Sequence, residues 1–247
     1  MVMKMANKKK QKKYYLFEYD MGFLSFLSII ILILLILAIG FFDKWTIFKS
    51  ILVASDQKTG DFEFIFLVIL MFLWVFLHEL IHGIMYLVNG AKKENLSFGV
   101  ALEKGILYCL CKEYISKKNI LISAISPFLL IGVLTSILGM IFNNSYLVIL
   151  SIMNMSSSIA DIILVLFLLK LPKNIEFCEY DNSTGFIIKS DENISKISAI
   201  GLKFVRVLDE DKVLSFDKYK TLYMSKVSKY IAIVFIIIFI LVILKRI

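Results

Sequence analysis

Both histidines of this 247-residue chain fall in one six-residue stretch, His78-Glu79-Leu80-Ile81-His82-Gly83, inside a long apolar run. On a helix, positions i and i+4 project from nearly the same face one turn apart, so two imidazoles could reach a single ion. Glu79 is rotated about 100° from His78, placed to act on bound water without being a ligand. Two ligands and one base is the arrangement of zinc hydrolases, and catalytic zinc takes three protein ligands plus water.

A third donor has one good candidate. From Asn119 to Leu169 the sole acidic residue is Asp161, among Ile159, Ala160, Ile162 and Ile163. An Asp at the centre of a membrane helix costs about 2.5–3.5 kcal/mol on insertion scales and calls for a cation or a partner. Asn154, Ser157, Ser158 and Asp161 fall at i, i+3, i+4 and i+7, a single polar stripe that could give a ligand, hydrogen bonds to the ligands and contacts to substrate. The set implies one Zn2+ ion held by His78, His82 and Asp161, with Glu79 as general base for amide hydrolysis.

The elements that must position these groups are membrane helices. The chain is 59% apolar and only 19% charged, with a mean hydropathy of +0.83, far from soluble globular averages. Five stretches approach the ~20 residues of a bilayer crossing: Gly22–Phe42, Phe62–Val88, Ile120–Phe142, Tyr146–Leu169 and Tyr230–Leu244. The first follows a lysine run but is longer than the apolar core of a signal peptide and lacks a good cleavage site, so it reads as a retained anchor.

Basic residues concentrate in residues 1–21, in Asn89–Asn119 and in Lys170–Lys229, which puts the amino terminus and both long polar segments in the cytosol. The net charge of +8 then reflects loops facing anionic lipid and requires no nucleic acid. Cys109, Cys111 and Cys178 fall on that reducing side, and an odd count gives no disulfide framework. Cys109-Leu110-Cys111 reads as strand before metal site.

Between the second and third spans, residues 96–114 alternate like a β-hairpin turning at Gly105. Its free edge could receive a substrate strand or merely cover the membrane face. Residues 172–229 form a small β-rich segment, with strands at Ile175–Tyr180 and Phe186–Lys189 and more near Ile197–Val207. The expected fold class is therefore all-α integral membrane, with five helices, a membrane-associated hairpin and a small cytosolic β-rich domain. The organisation is 1–21 basic terminus, 22–171 catalytic core, 172–229 β-rich domain and 230–247 last helix.

At His78–Gly83, Ser126-Pro127-Phe128 and the Asn154…Asp161 stripe, the chain resembles bacterial membrane proteins described as "putative zincin peptidases", themselves similar to the site-2 protease group. No proline lies between Asn154 and Asp161, and Ile162 follows the acid, which is closer to the zincin group than to a typical site-2 protease. The resemblance covers roughly residues 62–169. It implies His78, His82 and Asp161 as ligands, Glu79 as base and Asn154 as a substrate or oxyanion helper. It also implies a bacterial cytoplasmic-membrane enzyme acting on a membrane-anchored peptide or protein. A membrane scaffold keeping a structural metal is the alternative; a transporter fits less well, because there is one compact site rather than a series of them.

Overall fold

A computed structural model describes residues 12–42, 60–101, 106–180 and 185–209. Strand β1 (Lys13–Tyr19) leads into helix α1 (Met21–Phe42), then α2 (Gly60–Val88), the hairpin strands β2 (Leu96–Ala101) and β3 (Ile106–Cys111), and the short β4 (Ile115–Ser116). Helix α3 (Lys117–Pro127) continues through a wider π-helical stretch, Phe128–Leu134, into α4 (Thr135–Ile141). Helices α5 (Ser145–Ser157) and α6 (Ile159–Lys170) precede strands β5 (Glu176–Tyr180), β6 (Gly185–Ser190) and β7 (Leu202–Leu208).

Helix starts follow local chemistry. Asp20 Oδ1 accepts from the Phe23 amide at the head of α1, Ser116 Oγ from Asn119 at α3, and Asn144 Oδ1 from Leu147 at α5, each satisfying an amide the helix cannot. Among the described residues, three helical stretches are long and apolar enough to cross a membrane: Met21–Phe41, Ile65–Val88 and Lys117–Ile141. Ile29, Ile33, Phe72, Phe76 and Ile137 stay outward-facing on them, the surface that lipid rather than protein would cover.

The expected fourth span is not one straight helix. Helices α5 and α6 meet at Ser158 with a 46° bend, and only together do they pass for a crossing. The cause is local: the hydroxyls of Ser157 and Ser158 both donate to the Asn154 carbonyl, at 3.0 and 2.8 Å, a back-bonding that bends helices. The expected fifth span, Tyr230–Leu244, the hairpin turn at Gly105 and residues 210–229 lie outside the described residues.

The second layer is an antiparallel sheet in the order β4-β5-β6-β1-β7. The basic amino-terminal segment thus contributes a strand, β1, between β6 and β7, with Tyr14, Tyr15, Leu16 and Phe17 buried. Phe17 meets Phe167 of α6 at 4.9 Å between ring centroids, and Phe177 and Phe186 close the cluster. Burying each such ring stabilises by roughly 1.5–3 kcal/mol. This contact fixes α6, and therefore Asp161, against the sheet. Strands β2 and β3 pair by themselves, Leu96 opposite Cys111 and Phe98 opposite Cys109.

Candidate metal centre

His78 and His82 lie on α2, ten and six residues before Val88, so about 15 and 9 Å along the helix from its end. Both are buried, at 8% and 7% exposure. Their Nε2 atoms approach to 3.1 Å. The Asp161 carboxylate, in the first turn of α6, lies 3.2 Å from His78 Nε2 and 3.5 Å from His82 Nε2. One ligand atom from each of the three residues falls within 4.8 Å of the others. The bend at Ser158 sets the direction from which Asp161 arrives.

The ring tautomers follow from the partners of the other nitrogens. Asn154 Nδ2 donates to the Pro127 carbonyl at 3.1 Å, which turns its Oδ1 toward His78 Nδ1 at 2.9 Å. A carbonyl-type oxygen can only accept, so His78 Nδ1 carries the hydrogen. His82 Nδ1 likewise donates to the Ser123 carbonyl at 2.9 Å. In neutral rings, both Nε2 atoms then present bare lone pairs to each other and to a carboxylate. Three converging acceptors with no donor among them repel unless a cation lies between. Their spacing also suits four-coordinate bonds of ~2.0–2.1 Å. The donor set therefore fits zinc.

Glu79 lies outside the group of three ligand atoms. Its Oε2 accepts from the Cys109 amide of β3 at 2.8 Å. Gly83 makes this possible: a Cβ there would run into the Phe98 ring and the Cys109 sulfur, so only a bare helix turn lets the hairpin settle onto α2. The thiols of Cys109 and Cys111 are buried, which pushes both up, Cys111 to about 11. They stay protonated at neutral pH and lie outside the ligand group. Ser157 and Ser158, the other members of the polar stripe, donate their hydroxyls to the Asn154 carbonyl.

Two residues near the site escaped the sequence reading. Glu179 of β5 accepts from Tyr86 Oη at 3.1 Å and from the Cys111 amide at 2.5 Å. It lies close enough for the charges of His82 and Glu79 to act on it. Alternation offered one signal, since Ile175 and Phe177 share its strand face and both are buried. Tyr19 of β1 is the second: burial, then the charges of Asp161 and Glu179, push its hydroxyl well up, so it remains a donor.

Burial raises the Glu179 carboxyl to about 7, against ~4.3 for a free Glu. The folded chain thus holds this proton more tightly than the unfolded one, and stability must fall as pH rises from ~4.3 through 7. Glu179→Gln, uncharged throughout, should match wild type in thermal midpoint near pH 4.5 and exceed it by several degrees at pH 8. A gap independent of pH would remove this account.

Residues 71–175 match the family model described as "Putative zincin peptidase". The matched segment runs from within α2 to the threshold of β5, so it contains His78, Glu79, His82, Asn154 and Asp161, whereas Glu179 and Tyr19 lie beyond it. The zincin description suggests a metallopeptidase and implies zinc, in keeping with the donor chemistry of the cluster. No curated protein and no solved structure matches the chain.

Proposed function

We propose that this chain is an integral-membrane zinc endopeptidase, site-2-protease-like in its organisation. Its substrate would be a peptide bond in a membrane-embedded or membrane-adjacent segment, cut near the cytosolic face. The observation that carries the reading is the convergence of two bare imidazole Nε2 atoms and one carboxylate within an apolar helix layer, where an unneutralised carboxylate is costly.

His78, His82 and Asp161 would hold the ion; zinc, when bound, polarises a carbonyl and activates water. Glu79, beside the cluster yet outside it, takes the proton from the attacking water and returns it to the leaving amine. The Cys109 amide holds one carboxylate oxygen and leaves the other for that transfer. Asn154 and the Ser123 carbonyl keep the imidazoles from rotating. The hairpin covers the Glu79 side, through the Cys109 amide.

Metal analysis of the purified chain tests this. One zinc per chain is expected after dialysis, removed by 1,10-phenanthroline and restored by added Zn2+. A wild-type chain that neither retains zinc nor takes it up would overturn the reading.

A further inference from the structure

The chain has only two prolines, and one of them, Pro127, sits inside helix α3, where a proline is strongly disfavoured because it removes a helix hydrogen bond. Lacking an N–H, it cannot donate to the carbonyl four residues earlier, that of Ser123. An orphaned carbonyl in an apolar layer is itself costly. Here it is not orphaned, because His82 Nδ1 donates to it at 2.9 Å.

Pro127 also serves the other imidazole. Its own carbonyl accepts from Asn154 Nδ2 at 3.1 Å, and Asn154 Oδ1 receives His78 Nδ1 at 2.9 Å. The chain widens immediately afterwards into the π-helical stretch Phe128–Leu134. There Gly132 leaves room for Met155, the neighbour of Asn154, which a Cβ would run into. Both anchors of the ligand pair therefore begin at one proline: the carbonyl it leaves without a helical donor, and its own.

We infer that Pro127 is a positioning residue of the metal centre, which by withholding a single amide reserves the Ser123 carbonyl for His82 and so fixes the ring with Nε2 toward the ion. The inference rests on the zinc reading above. A helix hydrogen bond restored at position 127 would compete with His82 for that carbonyl and free the ring to turn.

The experiment uses the full chain in detergent, with Zn2+ as titrant and Co2+ as spectroscopic probe. Pro127→Ala returns the N–H. Zinc affinity should fall ~10–100-fold, the range for loss of an outer hydrogen-bond partner, and the Co2+ absorption bands should shift. The metal-free thermal midpoint should hold or rise, because alanine mends the helix. Lactic acid incorporated at position 127 has alanine's side chain but an ester oxygen in place of N–H, and should restore zinc affinity to near wild type.

Unchanged affinity in Pro127→Ala would overturn the inference. So would a loss that the ester does not restore, since ring shape and not the missing donor would then be responsible. Failure of wild type itself to bind zinc would instead overturn the metal reading, so the two failures are distinguishable.

Discussion

Glu79→Gln is expected to keep one zinc per chain and to lose peptide cleavage by ~10²–10⁴-fold, the usual contribution of a positioned general base. The substitution is nearly isosteric, and its amide oxygen can still accept from the Cys109 N–H that now bonds Glu79 Oε2. The hairpin should therefore stay seated on α2. Metal should stay because Glu79 is not one of the three clustered donors. What disappears is the capacity to receive a proton from water. Comparing new peptide termini in membranes of cells expressing wild type or the variant would read this out, whatever the substrate. Termini produced equally by both would end Glu79's role as base, and a phenotype indifferent to Glu79 would favour a scaffold holding a structural metal.

What the sequence made legible follows the range of the interactions. His78 and His82 could be paired in advance because i and i+4 is a property of one helix, and the structure brings their Nε2 atoms to 3.1 Å. Asp161 stood out because its surroundings have no other acid, an anomaly of composition that shows whatever the topology. Strands β5, β6 and β7 were readable from alternation and turn residues, and β2 and β3 from the same signal.

Less legible was whatever depends on distant partners. Lys13–Tyr19 looked like the end of a basic tail because its apolar run, Tyr14 to Phe17, is short and follows lysines. Its strand partners Gly185–Ser190 and Leu202–Leu208 lie some 170–190 residues away. Glu179 belongs to the same class, joined to Tyr86 and Cys111 only by tertiary folding. The bend at Ser158 was missed for another reason. A stripe at i, i+3, i+4 and i+7 presumes a straight helix, and the two serines within it turn their hydroxyls to the backbone and remove that straightness. Pro127 carries no signal in the sequence beyond its place in the Ser126-Pro127-Phe128 resemblance; its work depends on a hydrogen bond it cannot make.

Asp161→Ala should abolish the gain in thermal stability that zinc gives the wild type. A ligand that binds only the folded chain stabilises it by RT ln(1 + [L]/Kd), about 4 kcal/mol at a thousandfold excess over Kd, so the loss of binding is read directly as a lost midpoint shift. The expected fall in affinity exceeds the ~10–100-fold attached to outer partners, because Asp161 carries the cluster's only anionic donor. Two neutral imidazoles alone must otherwise offset a divalent charge in a low-dielectric layer. Glu79→Gln under the same titration should give the full wild-type shift. That contrast, metal and activity lost together in Asp161→Ala and activity lost with metal retained in Glu79→Gln, separates ligand from base. An equal zinc-dependent shift in Asp161→Ala and wild type would leave the two histidines without their third ligand, and the bend at Ser158 would then need a different explanation from the delivery of a carboxylate.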